Sequence, residues 1–166
     1  MTRETDDVDR IVEAWSRERP DLNVAPLEVL SRVARIARRV DRFRREAFKA
    51  SGLESWEFDV LAALRRAGVP YQLSPGNLIQ ETLVSSGAMT HRLRRLQERN
   101  LVTRSSDPKD GRGVVVRLTE SGKETVDLAF SRLVEAENSL LSALSINEQE
   151  TVAAALRKLS LDVESR

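Results

Sequence analysis

The chain has 166 residues, of which 40% are hydrophobic and 32% charged, with a net charge of +1; this balance is ordinary for one soluble domain with a real core. It has no cysteine and one histidine, which excludes disulfides, thiolate metal sites and histidine-rich metal sites. Because it shows no long apolar run and no signal-peptide pattern, we expect a cytoplasmic protein that needs no cofactor and no membrane.

Two helices are predicted at the start of the chain. Asp6 or Asp7 can cap a first helix that carries Trp15 on its apolar face. A long helix is predicted from Pro26 to about Ser51, with arginines covering most of its polar surface. A charged helix face is usually solvated, so we interpret these arginines as a solvent-exposed surface rather than a second DNA contact.

A third helix is predicted from Glu54 or Ser55 to Gly68. Its segment is largely apolar but contains Asp59. A carboxylate buried there would need a cationic partner. Residues 69–73 could add a short strand beside the strands predicted further on.

Two short helices follow, and the rest of the chain is organised around them. Ser74 is a favourable N-cap, and Pro75 stands at the first position of a helix that ends near residues 81–82. Ser85 caps the second helix, which runs to about Arg99. Asn100 follows, and asparagine tolerates the left-handed backbone that ends a helix.

The helical period divides the second short helix into two faces. Its apolar positions Met89, Leu93 and Leu96 share the core face, and Arg92 lies about 60° from the centre of that stripe. A helix that starts with small residues and exposes basic ones suits a DNA major groove, although an ordinary solvated face would look similar. The candidate DNA contacts are Ser86, Gly87, Thr90, His91, Arg94 and Arg95.

A β-hairpin with a charged turn is predicted next. Residues 101–104 and 114–118 are β-prone, and residues 107–113 between them have the composition of a turn, with Lys109 and Arg112 as further DNA contacts. Residues 91–118 hold eight Lys/Arg against three Asp/Glu, a local charge of +5. Phosphate contacts need such local charge. Two helices followed by a hairpin form a winged helix-turn-helix, which indicates duplex DNA as the partner.

The chain ends with two more predicted helices. Thr119 caps one that runs to about Leu144, and residues 145–148 form a capping box that starts the last one. Together with the N-terminal pair, these helices carry more apolar surface than one winged helix can cover. They could form a larger core or an interface between two copies of the chain.

Four motifs stand in the central stretch: Ser85-x-x-x-x-Thr90-x-x-Leu93-x-x-Leu96, Leu101-Val102, Asp107-x-Lys109-Asp110-x-Arg112 and Leu118-Thr119-x-x-Gly122. With these motifs the stretch resembles the MarR family of dimeric winged-helix transcription factors. The resemblance implies a mainly α fold with a small β-wing, in which a DNA-binding lobe (53–118) joins dimerisation helices (1–52 and 119–166) in one compact domain. It also implies a homodimeric repressor that binds a pseudo-palindromic operator through two recognition helices about 34 Å apart.

Trp15, Asp59 and Arg92 resemble the urate-responsive branch of that family. There, an anionic ligand binds the arginine, disturbs its relation to the aspartate and moves the recognition helix. The ligand could be urate or another planar or carboxylate anion. The alternative is a DNA binder without a small-molecule ligand, in which Asp59 and Arg92 form only a structural ion pair under a packing Trp15.

Catalytic patterns are missing from the sequence. It contains no GxSxG, no glycine-rich phosphate loop and no HExxH, so we predict a regulator rather than an enzyme. A winged helix that serves only as a protein-interaction module seldom needs both a basic helix and an arginine-tipped wing. Salt-sensitive binding to duplex DNA would distinguish the two classes.

Overall fold

The structure is mainly helical with a small antiparallel sheet, which confirms the predicted fold class and the predicted order of elements. The computed structural model describes residues 5–106 and 113–165. The chain divides into two units, residues 1–43 and 44–166. The elements are α1 (Asp7–Glu18), α2 (Pro26–Ala50), α3 (Ser55–Arg66), β1 (Gln72–Leu73), α4 (Pro75–Thr82), α5 (Ser86–Glu98), β2 (Val102–Ser106), β3 (Val114–Leu118), α6 (Glu120–Leu141) and α7 (Ile146–Glu164).

Ion pairs join α1 to α2 within the first unit. Asp6 is the N-cap of α1, and its carboxylate accepts hydrogen bonds from the backbone of Val8 and Asp9 at 2.7 and 3.1 Å. Arg32 of α2 donates to Asp6 at 2.9 and 3.0 Å and pairs with Asp9 at 2.9 Å. The arginine face of α2, which we interpreted as solvated, therefore includes a side chain that bridges two helices.

The contact between Asp6 and Arg32 gives the first unit a defined pH dependence. Hydrogen bonds from Arg32, and to a smaller extent from the backbone N–H groups of Asp9 and Val8, lower the pKa of Asp6 from 3.8 to about 2. Because the pKa of Asp6 is lower in the folded unit than in the unfolded chain, the contact contributes its full stabilisation of the folded unit above pH 3.8. This stabilisation is lost as the pH falls towards 2.

We therefore expect Asp6→Asn, which keeps an N-cap acceptor, to reduce the protection of α1 amides against hydrogen exchange at pH 5. The difference from the parent protein should shrink towards zero below pH 2. Protection factors measured at both pH values test this prediction, and an undiminished difference in acid would contradict it.

The core of the second unit is built around α3. Every residue from Glu57 to Leu64 is buried except Asp59. The Phe48 ring, at the end of α2, stacks on Phe58 with ring centroids 4.1 Å apart. Because α4, α6, β1 and β3 all contact α3, this helix positions most of the elements of the predicted DNA-binding lobe.

A three-stranded antiparallel sheet lies beside these helices, in the order β1-β3-β2. Arg117 of β3 pairs with Gln72 of β1 on one side and with Thr103 of β2 on the other. Val116, the neighbour of Arg117, is fully buried. The predicted hairpin and short strand are thus confirmed, whereas residues 107–112 of the predicted turn lie outside the described residues.

Asn100 ends α5, as predicted from the ability of asparagine to adopt a left-handed backbone conformation. It has a φ of +56°, and its N–H donates to the Gln97 carbonyl at 2.8 Å. The N–H of Leu101 donates to the Leu96 carbonyl at 2.9 Å, which completes a Schellman stop. Leu96 and Leu101 both belong to the buried core, so the end of α5 is fixed by apolar packing as well as by hydrogen bonds.

The turn between α4 and α5 contains two apolar residues that lie in opposite environments. Val84 packs against the core, but Leu83 is 91% exposed and has a φ of +51°. This left-handed conformation costs a residue with a Cβ about 1–2 kcal/mol. The apolar pattern alone cannot predict an exposed leucine in an unfavourable conformation.

The two C-terminal helices differ in how much they bury. Val126, Ala129 and Leu133 of α6 are buried, whereas α7 has no buried residue along its described length. Within residues 5–106 and 113–165, no helix combines the length and the apolarity that crossing a membrane requires. The exposed large apolar side chains of α6 and α7 are Leu128, Phe130, Val134, Leu140, Leu141, Ile146, Val152, Leu156, Leu161 and Val163.

Candidate nucleic-acid interface

The residues that we predicted to form the buried face of α5 are the ones that the structure buries. Met89, Leu93 and Leu96 are buried, and α4 packs beside α5 with its own Leu78 fully buried. Ser85 is the N-cap, and its hydroxyl accepts the backbone N–H three residues later at 3.3 Å. The buried stripe therefore fixes which side of α5 faces outward.

The outward face of α5 is exposed and chemically mixed. Among the described residues, no atom lies within 4 Å of the position that a Cβ on Gly87 would occupy, apart from its chain neighbours and the helix backbone. Arg94 pairs with Glu98 at 3.7 Å, but both side chains remain about two-thirds exposed, so this pair holds them only weakly. Five of the predicted DNA contacts are exposed on this helix: Ser86, Gly87, Thr90, His91 and Arg94.

Two other arginines of α5 lie against α3. The guanidinium carbons of Arg92 and Arg95 lie 5.6 and 5.1 Å from the centroid of the Trp56 ring, within cation–π range. Arg95 also pairs with Glu54 at 3.4 Å, and the Trp56 indole N–H donates to the Glu54 carboxylate. Arg95, which we predicted to contact DNA, is thus partly buried by contacts inside the protein.

Asp59 has a different environment from the one we expected. Asp59 is exposed, and within the described part of the chain it forms no ion pair with Arg92, so the structural ion pair of the alternative interpretation does not form. The reason is that Arg92 lies over Trp56 instead. Partial desolvation raises the pKa of Asp59, while the charges of Arg92, Arg66 and Arg44 act against this rise.

The buried carboxylate of α3 is Glu57, which sequence analysis missed. It is 1% exposed, and its Oε2 accepts a hydrogen bond from Arg99 at 2.5 Å and from the Glu54 backbone at 2.9 Å. Arg99, the C-cap of α5, also donates to the Gly52 carbonyl at 2.8 Å. A glutamate at the third position of a predicted helix was a capping-box signal, but nothing in the sequence linked it to Arg99.

The base of the wing adds polar and basic groups beside α4. An open groove there is lined by Pro75, Arg104, Ser105, Ser106 and Val114. The predicted wing contacts Lys109 and Arg112 lie outside the described residues, so their part in DNA binding stays a prediction.

The remaining predicted ligand residue, Trp15, lies in the first unit and is 51% exposed. About half of the Trp15 surface therefore remains exposed in this chain, which is more than the expected packing role would leave. Across the described ranges, no group of three or more His, Asp or Glu side chains is arranged to hold a metal ion.

Comparisons with known proteins agree with this geometry. The model of the MarR family matches residues 51–113. The HTH-type transcriptional regulator PecS of Dickeya dadantii is 33% identical, over 92% of this chain and 92% of its own length. A cysteine-to-serine variant of MarR from E. coli, solved in complex with operator DNA, is 26% identical with a TM-score of 0.67, and covers 83% of this chain and 99% of its own.

A structure of BpsR from Bordetella bronchiseptica is 27% identical, with a TM-score of 0.60 over 77% of this chain and 92% of its own. It is described in terms of how 6-hydroxynicotinic acid regulates the DNA binding of that protein.

Proposed function

This chain belongs to the MarR family of transcriptional regulators, and we propose that it is a dimeric repressor whose operator binding is relieved by a small anionic ligand. Members of this family are regulators rather than enzymes. The observation that carries the proposal is the exposed outer face of α5, which starts with two small residues and continues with His91 and Arg94 beside the β-hairpin.

Operator recognition is proposed to use that outer face. A helix whose first turn has small side chains can approach base edges closely, and arginine can bind guanine with two hydrogen bonds. The E. coli MarR relative, which shares this fold, was solved bound to operator DNA. Lys109 and Arg112 are proposed to add wing contacts, and Arg95 an α5 contact if it leaves Glu54.

Gly87 provides a test of close approach. Its Cβ position is open, and glycine inside a helix costs about 0.5–1 kcal/mol relative to alanine, so Gly87→Ala should stabilise the protein by about that amount. The added methyl group should nevertheless reduce operator affinity about tenfold if the helix lies close to the bases. Thermal unfolding and titration with operator and shuffled duplexes measure the two effects.

Gly76→Ala is the matched control, because Gly76 occupies the same second position in α4 and a Cβ there would make only an ordinary 3.7 Å contact with Ser74. It should leave the preference for operator over shuffled DNA unchanged. Equal preference in the Gly87→Ala and parent proteins would argue against α5 as the base-reading helix.

Dimerisation is proposed to cover the exposed apolar face of α6 and α7. Ten large apolar side chains of these helices are exposed, and a patch of this kind on a soluble protein marks an interaction site. A second copy is the partner we propose, since an operator with two half-sites requires two recognition helices. Size-exclusion chromatography with light scattering tests this, and a stable monomer would contradict it.

An anionic effector is proposed to bind near Arg92. The supporting observation is that Arg92 lies over the Trp56 ring and, among the described residues, forms no ion pair with Asp59, so an anion would find a guanidinium charge that Asp59 does not neutralise directly. BpsR is a relative whose DNA binding a carboxylate compound regulates. Whether Trp15 contributes, and whether urate is the ligand, stay predictions.

The competing function is a DNA binder without an effector. The stacking of Arg92 on Trp56 favours it, since this contact gives the arginine a structural role without an ion pair to Asp59 among the residues that the structure describes. A footprint on the DNA that flanks the gene, repeated with a panel of anionic metabolites that includes urate and 6-hydroxynicotinate, distinguishes the two. Protection that no anion relieves would support the competing function.

A further inference from the structure

Two arginines of α5 and its C-cap arginine lie on one side of the helix and contact the first turn of α3. Arg92, Arg95 and Arg99 are three and four residues apart, the spacing that places side chains on one face. Two of them lie over the Trp56 ring, and the third pairs with Glu57.

The contact of Arg99 is the most directional of the three. Its two terminal nitrogens bind two separate points, the Glu57 carboxylate at 2.5 Å and the Gly52 carbonyl at 2.8 Å. Gly52 lies in the connection that follows α2, and Glu57 lies in the first turn of α3. Arg99 therefore ties the C-terminal end of α5 to two neighbouring parts of the second unit.

The contact between Arg99 and Glu57 buries a carboxylate at a cost in free energy, so it tolerates little change in its geometry. Glu57 is 1% exposed, and its Oε1 is buried without a hydrogen-bond partner among the described residues. A buried carboxylate is tolerated only while its cationic partner stays in place. Any rotation or sliding of α5 that separates Arg99 from Glu57 would leave that charge unpaired.

Apolar packing alone does not impose this precision. Met89, Leu93 and Leu96 hold α5 on the core, but burial of apolar surface is non-directional and tolerates small rotations. Buried ion pairs are weak contributors to stability, and their better-supported use is to fix register. The directional contact sits at the end of α5 opposite to the small residues that start its outer face.

We propose that Glu57 and Arg99 are positioning residues, which set the rotation and axial position of α5 so that its outer face meets the operator in register. The proposal rests on the DNA-binding function proposed above. It divides these arginines into two classes: Arg99 fixes the helix through its contacts with Glu57 and Gly52, whereas the Arg94 side chain is about two-thirds exposed and faces outward.

The test uses a double variant, Glu57→Met with Arg99→Met, that removes both charges together. Glu57 is buried and the Arg99 side chain is 41% exposed, so methionine at both positions removes the buried charge together with its partner and leaves no unpaired charge behind. We expect this variant to unfold near the parent temperature but to lose about tenfold or more of its preference for the operator over a shuffled duplex, the size of one or two misread base pairs. A purely structural pair predicts an unchanged preference, and that result would overturn the proposal.

A control is the more exposed pair formed by Arg65 and Asp127, which joins α3 to α6 with contacts of 2.8 and 3.3 Å. Replacing both with methionine also removes an interhelical ion pair from the lobe, but not one that involves α5, so operator preference should be kept. An equal loss in this control would overturn the assignment of positioning to Glu57 and Arg99.

The conservative variant Arg99→Lys decides the case if the double variant does not fold. Lysine keeps the charge for Glu57 but cannot bind both points as a guanidinium does, so partial operator preference is expected, and full preference would overturn the proposal. A parent protein that shows no preference for any duplex would instead refute the DNA-binding function itself.

Discussion

Gly122→Ala is expected to destabilise the protein by about 3 kcal/mol, or to prevent folding, because the new methyl group would meet backbone. A Cβ on Gly122 would lie 2.0 Å from the carbonyl oxygen of Leu101 and 2.9 Å from its carbon. Backbone atoms cannot move aside as a flexible side chain can. To remove this clash, the start of α6 would have to move away from the end of α5.

Local hydrogen bonds make that movement unfavourable. Thr119 caps α6, since its hydroxyl accepts the Gly122 N–H at 2.9 Å, and its own N–H donates to the Leu101 carbonyl at 3.1 Å. The same hydroxyl donates to the Asn100 carbonyl at 2.8 Å. Withdrawal of α6 would break contacts at the Schellman stop of α5, so the damage would reach the helix proposed to read DNA.

Chemical denaturation with a circular-dichroism readout measures the effect of Gly122→Ala. Gly76→Ala is the control, because a Cβ there meets only Ser74 at 3.7 Å. The control should be as stable as the parent or slightly more so. If Gly122→Ala unfolds at the same denaturant concentration as the parent, the close approach of α6 to Leu101 is wrong.

The glycine also shows what a sequence motif can and cannot convey. Leu118-Thr119-x-x-Gly122 was recognisable as a family pattern, and Thr119 was predictable as an N-cap from its position before a helix. The reason for the glycine was not predictable, because it depends on Leu101, which is 21 residues away. Local capping and stop signals set the limits of most helices, and this explains why their predicted and observed ends agree closely.

The carboxylates of α3 show where sequence-based prediction of burial was wrong. The apolar residues around Asp59 suggested that it was buried, but Asp59 is exposed and Glu57 is buried instead. Positions two apart on a helix point in different directions, and a segment with apolar residues nearly all round leaves the period ambiguous. The partner that makes a buried Glu57 acceptable, Arg99, is 42 residues away, so only the fold reveals the pair.

Arg92→Ala is expected to give a folded protein that binds the operator but no longer responds to an anionic effector. Stability should be largely kept, because the exposed Asp59 loses no ion pair and the charges of Arg66 and Arg44 still act on it. The main loss inside the protein is one of the two cation–π contacts with Trp56, worth about 0.5–1 kcal/mol at a partly exposed site.

The loss of response follows from what an effector has to do. A ligand shifts DNA affinity only by binding the DNA-incompetent arrangement more tightly, and such coupling is typically about 5- to 150-fold. If an anion recruits Arg92, it draws the guanidinium away from Trp56 and so perturbs α5 directly. Without Arg92, the anion has lost the group of α5 through which we propose that it acts.

Melting temperature and effector-dependent release of operator DNA should be measured on the same Arg92→Ala sample. Arg66→Ala is the matched control, since it removes a charge that acts on Asp59 from α3 rather than from α5. The control should keep most of the response if Arg92 transmits the signal through its own helix. A normal effector response in Arg92→Ala would end the coupling hypothesis, whereas a large fall in melting temperature would assign Arg92 to the fold, because its contact with Trp56 would then be the interaction that matters.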